Sequence, residues 1–154
     1  MKLQPRMWWT AFNTIPPIDA NTDVITKWLV SMRAAVFVMT TTSALLGGIL
    51  AASVGRLDWL MLALVTIGLV LAHGASNLLN DYWDARHGLD TDDSFRVGYG
   101  PHPLHSGIMT SGTLLRGTAL ILLVATLIGA YFTLARGPLV IAFALAGGLI
   151  LMLY

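Results

Sequence analysis

Four stretches without a charged side chain set the terms on which this chain can fold. Residues 34–55 lie between Arg33 and Arg56, and residues 59–80 between Asp58 and Asp81. Residues 117–135 lie between Arg116 and Arg136, and residues 137–154 complete the sequence. A helix needs about 20 apolar residues to cross the hydrocarbon core of a bilayer, and each window is close to that length. Lipid offers no hydrogen-bond partners, so backbone there must satisfy itself internally, which makes these windows helices. A mean hydropathy of +0.72 places the chain with membrane proteins and not with soluble domains. The expected fold is all-α: a polytopic integral membrane bundle of four transmembrane helices, at about 34–55, 59–80, 114–135 and 138–154.

The basic residues orient that bundle. Lys2, Arg6, Lys27 and Arg33 precede the first span, and Arg86, Arg96 and Arg116 lie around the connection between the second and third. Only Arg56 and Arg136 fall on the other side. The positive-inside rule therefore places the N-terminus and the long connection, residues 81–113, in the cytoplasm. A net charge of +1 gives no reason to expect nucleic acid as a partner. The absence of cysteine excludes thiol chemistry and disulfides.

Residues 1–21 read as a cytoplasmic extension ahead of a transmembrane domain over 22–154. They contain Trp8, Trp9, Pro16 and Pro17 but no sustained apolar run of the kind a signal peptide carries. From Thr22 the pattern changes. Val24, Ile25, Trp28, Leu29 and Met32 form a helical stripe, with Thr22 or Asp23 near its cap. This is either an interfacial approach to the first span or a plain extension of it. Small residues within the spans (Ser43, Gly47, Gly48 and Ala52; Gly129 and Thr133; Ala144 and Gly148) suit close helix packing.

Against this apolar background the segment Asn77–Asp90, NLLNDYWDARHGLD, needs a cause. All eight acidic residues are Asp, and five of them lie between Asp81 and Asp93. At about 100° per residue, His73, Asn77, Asn80, Asp81 and Asp84 share an arc of roughly 100° on the second helix. Such a stripe must face a bundle interior or a water-filled cavity. Asn80, Asp81 and Asp84 offer the hard oxygens that Mg2+ prefers, and Mg2+ is commonly held by one or two carboxylates together with substrate phosphates and water. Arg86 and Arg96 lie close enough in sequence to neutralise a diphosphate, Arg96 by a bidentate contact. Each residue alone has a plainer explanation. A lone Asp84 at a helix end is an interfacial anchor, and His73 suits a hydrogen bond across helices. Trp28, Trp59, Tyr82 and Trp83 suit an aromatic belt, with Tyr82 and Trp83 alternatively lining a prenyl channel. It is the combination that points to a metal.

Asn80, Asp81 and Asp84 resemble the first aspartate-rich motif, Asn-Asp-x-x-Asp, of the UbiA family of membrane prenyltransferases. The further acid expected four residues after Asp84 is replaced by Gly88, whereas Asp90 and Asn77 resemble the dihydroxynaphthoate branch of that family. The resemblance implies a nine-helix fold. It also implies Mg2+ as cofactor, an isoprenoid diphosphate as donor and an aromatic, quinone-precursor acceptor, all within the lipid bilayer. It implies Asn80 and Asp84 as metal or diphosphate ligands supported by Asp81 and Asp90, with Asn77, Arg86 and Arg96 toward the diphosphate. No residue is implied as a catalytic acid or base.

Where the family often carries Arg-Pro-Leu, this chain has His102-Pro103-Leu104, so His102 would take the arginine's place. The family also has a second aspartate-rich motif in a later loop, and these 154 residues contain one motif. The expectation is therefore the N-terminal half of such an enzyme, inactive alone, to be completed by a C-terminal half or by a homodimer. Two other classes compete. A membrane scaffold or cation-transport subunit could use the Asp cluster as an ion site, although transport sites lie nearer the bilayer midplane. A CDP-alcohol phosphatidyltransferase would share Asp84-Ala85-Arg86, but lacks its expected glycine and later acidic spacing here.

Overall fold

The computed structural model describes residues 3–89 and 100–153. Among them the regular structure is helical throughout. Six α-helices follow in order: α1 (Pro5–Asn13), α2 (Val24–Ser31), α3 (Phe37–Ser53), α4 (Trp59–His87), α5 (Ser111–Arg136) and α6 (Leu139–Leu153). A 3-10 turn, Ala34–Val36, leads into α3.

Three of these segments are long and apolar enough to cross a membrane: Ala34–Ser53 with 20 residues, Trp59–His87 with 29 and Ser111–Arg136 with 26. The fourth apolar window forms α6, whose 15 residues reach only about 22 Å at 1.5 Å per residue. That is less than the roughly 30 Å hydrocarbon core.

The ends of the spans follow from local chemistry. After α3, Gly55 adopts φ +67° while Arg56 N–H donates to Ala51 O at 2.8 Å and Gly55 N–H to Ala52 O at 2.9 Å. Gly88, at φ +68°, ends α4 with the same pair of bonds, Leu89 N–H to Asp84 O at 2.9 Å and Gly88 N–H to Ala85 O at 3.4 Å. This is the Schellman arrangement, which needs a left-handed residue just past the helix. No earlier breaker interrupts α4, so it runs seven residues past the apolar window. Asn80, Asp81, Asp84 and Arg86 therefore all stand on one continuous helix instead of entering a loop at residue 81.

The chain divides into two compact units. One comprises residues 1–37 and 77–118, the other residues 38–76 and 119–154. In the first, Asp23 caps α2 by accepting N–H bonds from Ile25 and Thr26, and Trp8 Nε1 donates to the same carboxylate at 2.9 Å. That bond ties α1 to α2. The sequence pattern did not announce α1, because nine residues are too few to be helical alone. It is held from outside, by Trp8, by the buried Ala11 and by the Phe12 ring lying 6.5 Å from Phe37. Trp28 of α2 packs over Gly117 of α5 so closely that a Cβ there would lie 2.0 Å from the indole.

In the second unit, helices meet through small residues. A Cβ on Gly48 would lie 2.8 Å from Leu62, and one on Gly68 would lie 3.1 Å from Ile128. Gly47, Gly129 and Gly148 have open space instead. His73 and Thr40 share a hydrogen bond of 2.6 Å between α4 and α3, the interhelical packing role expected of that histidine. Arg136 and Asp58 approach to 3.6 Å.

Candidate functional site at the end of the long helix

The polar stripe on α4 divides into two pairs, each spaced i, i+4 and therefore one turn apart on a shared strip. Asn77 and Asp81 form the first pair, and both are buried. Asn80 and Asp84 form the second, about 60° around the helix, and both are half-buried.

The first pair grips the junction between α2 and the first span. Asn77 Nδ2 donates to Met32 O at 2.9 Å. Arg33 Nη2 donates to Asp81 Oδ1 at 2.5 Å, with side-chain exposures of 25% for Arg33 and 0% for Asp81. Arg33 is the one non-glycine among the described residues with positive φ, at φ 58° and ψ 50°. A left-handed conformation costs an ordinary residue about 1–2 kcal/mol, and persists where surrounding structure over-determines it. Here the backbone on one side and the guanidinium on the other are both held by α4. Sequence reasoning used Arg33 only to orient the bundle. A lone arginine between an amphipathic stripe and an apolar window was the available signal that it mattered.

The second pair presents one carboxamide and one carboxylate along a half-buried strip. Arg86 is exposed, and its Nη1 donates to Tyr82 Oη at 3.3 Å. Tyr82 and Trp83 meet edge to face at 5.2 Å, and Trp83 stacks on His87 at 5.7 Å. Asp90 and Arg96 lie outside the described residues.

His102 is buried at the start of a tight turn over residues 102–107. Its Nδ1 accepts the backbone N–H of Leu104 at 3.2 Å and of His105 at 3.3 Å. Its carbonyl accepts from Ser106 N–H at 3.0 Å and from the Ser106 hydroxyl. Two donors aimed at Nδ1 require a lone pair there, which assigns the ring proton to Nε2. Gly107, at φ +67°, closes the turn. Met109 then returns to the α2 side, where Ser31 Oγ meets its sulfur at 4.0 Å.

Among the described residues, no three His or Asp side chains come together as a group able to hold a metal ion. The strip of Asn80 and Asp84 matches a more modest demand. A magnesium ion that shares its coordination with phosphate oxygens and water asks the protein for only one or two hard ligands.

A family model, that of the UbiA prenyltransferase family, matches residues 37–154, well over half of the chain. No curated protein and no solved structure matches it.

Proposed function

Because this chain belongs to the UbiA prenyltransferase family, we propose that α4 carries the donor-binding side of a Mg2+-dependent prenyl transfer within the membrane. The observation that carries this reading is the half-buried strip on which Asn80 and Asp84, one helical turn apart, set a carboxamide and a carboxylate oxygen side by side. Asn77 and Asp81, on the adjoining strip, bond the Met32–Arg33 junction. In this reading Asn80 and Asp84, with Asp90, hold the metal, and Asp81 supports it indirectly by fixing α4 against Arg33. When bound, Mg2+ neutralises charge on the donor's diphosphate.

The chain's own residues do the rest. In this reading Arg86, Arg96 and His102 are the donors assigned to the diphosphate oxygens, where preorganised donors stabilise the charge that develops as the allylic C–O bond breaks. The allylic carbon then forms a bond to an electron-rich aromatic ring, which loses a proton. Asp90 and the Asn77-Leu78-Leu79-Asn80 run favour a dihydroxynaphthoate-like acceptor. The basic residues favour an N-terminus and Asp-rich connection on the cytoplasmic side, and α6 then begins a fourth span.

The test is binding of geranylgeranyl diphosphate to the protein in lipid nanodiscs, with Mg2+ and with EDTA. The expected result is metal-dependent binding that Asp84→Ala and Asn80→Ala each weaken by about 10²-fold, a loss typical of one preorganised electrostatic contact. Binding indifferent to both Mg2+ and these substitutions would remove the proposal.

A further inference from the structure

We infer that α1 is an in-plane membrane anchor whose outer strip lies in the headgroup region of the bilayer where the chain enters the membrane. The inference is independent of the prenyl-transfer reading. It begins with a helix carrying two apolar strips where one is enough to fold it. The inner strip holds Met7, Trp8 and Ala11; Ala11 is buried, and Trp8 reaches the Asp23 carboxylate. The outer strip holds Pro5, Trp9 and Phe12, spaced i, i+4, i+7 as on one helix face. Trp9 is 73% exposed and Phe12 46% exposed. Neither exposure serves the packing of α1 onto α2.

Three observations select a lipid interface as the occupant. First, α1 is fixed at the depth where the chain enters the membrane, because the Phe12 ring lies 6.5 Å from Phe37, the first residue of α3. The apolar span that includes α3 begins only three residues earlier, at Ala34. Second, the side chains match that depth. Tryptophan is favoured at the boundary between headgroups and acyl chains, and amphipathic helices that lie in this plane pair aromatic residues with a basic flank. Arg6 stands exposed beside the outer strip, and α1 contains no carboxylate. Third, the neighbouring first turn of α2 repeats the composition, with Val24 and Ile25 exposed and Lys27 nearby.

The chain contains no cysteine, so a single introduced cysteine is labelled uniquely. Trp9→Cys carries a nitroxide in vesicles of phosphatidylcholine and phosphatidylglycerol, with Thr14→Cys as the reference beyond the helix. Collisions with oxygen and with a water-soluble nickel chelate are compared by electron paramagnetic resonance. A label at position 9 that oxygen relaxes more strongly than nickel, with the opposite order at position 14, is the expected result. Dominance of nickel at position 9 would show a strip facing water. Exclusion of both reagents would show a strip covered by protein. Either overturns the inference.

A second measurement keeps the native residue in place. Emission of the wild-type protein in brominated lipid is compared with that of Trp9→Phe. The inference requires that the emission lost with Trp9 be strongly quenched by bromine, and an unquenched Trp9 component overturns it.

Discussion

The two units of this chain solve the problem of stability in opposite ways. Residues 1–37 and 77–118 hold all the charged residues except Arg56, Asp58 and Arg136. They also hold buried polar groups at Thr22, Asp23, Thr26, Ser31, Asn77, Asp81, His102 and Thr118. These are joined across elements by directional bonds: Trp8 to Asp23, Asn77 to Met32, Arg33 to Asp81. The other unit exposes Val38, Leu46, Ile49, Leu50, Leu127 and many more apolar side chains. Its helices meet through Gly48 and Gly68. In water such a surface would be ruinous, whereas in lipid it is the resting state, and close contact between small residues supplies the cohesion. One unit is organised by its own polar network, and the other relies on the solvent for which it was built.

The sharpest way to break this contrast is to remove one partner of the buried pair. Asp81→Leu leaves the Arg33 guanidinium without its carboxylate. The expected cost is about 3 kcal/mol, at the low end for a broken buried pair because Arg33 keeps some solvent contact. Thermal unfolding in detergent reads it. Adding Arg33→Gly should recover much of the loss, since glycine accepts the left-handed backbone without strain. An unchanged melting temperature in Asp81→Leu would deny the network its role.

Glycine substitutions separate the units next. Gly117→Ala drives a methyl group into the Trp28 ring and should cost about 1–3 kcal/mol through overpacking. Gly129→Ala meets open space, so it should be neutral or stabilise by up to about 1 kcal/mol through helix propensity. Equal effects on unfolding would contradict the packing described for Trp28.

A pH titration probes α1. Burial pushes the Asp23 carboxyl up, but hydrogen bonds from the Thr26 hydroxyl, the Trp8 indole and the backbone of Thr26 and Ile25 outweigh it. The net result lies below the ordinary value of 3.8. Asp19 is lowered as well, chiefly by the Thr22 hydroxyl. A depressed carboxylate stabilises the fold fully above its unfolded value and loses that contribution as pH falls through the folded one. Tryptophan emission from α1 should therefore hold steady down to about pH 4 and shift only below it. Asp23→Asn should flatten that acid transition, and a transition that survives the substitution would assign it elsewhere.

The smallest effect belongs to the other unit's ion pair. Arg136 and Asp58 are both about half exposed at 3.6 Å, so Asp58→Asn should change stability by less than about 0.5 kcal/mol. A larger change would mean that this unit, too, leans on charge.

Much of the architecture was legible in the residues, for identifiable reasons. The charge-free windows located the three long spans, because desolvating a charge in lipid is too costly to leave the pattern ambiguous. The ending of α4 was less visible. Polarity from Asp81 onward suggested a loop, yet polarity marks the membrane boundary and not the helix boundary. The helix stops only where Gly88 can turn left-handed. The candidate site was legible as a stripe but not as two pairs. Helical spacing puts Asn77, Asn80, Asp81 and Asp84 on one side, and nothing in that spacing shows which of them another element will claim.

The sequence by itself determined that this is a helical membrane protein with one acidic and carboxamide-rich segment at a span's end. Both properties follow from composition and period, which need no distant partner. Tertiary structure alone decided that α1 is a helix, that Arg33 takes a left-handed backbone, and that Asn77 and Asp81 hold that junction. Each of those outcomes depends on a contact between residues far apart in the chain: Trp8 with Asp23, Phe12 with Phe37, and Arg33 with Asp81. Local spacing carries no information about them, because their free energy exists only once the elements have packed.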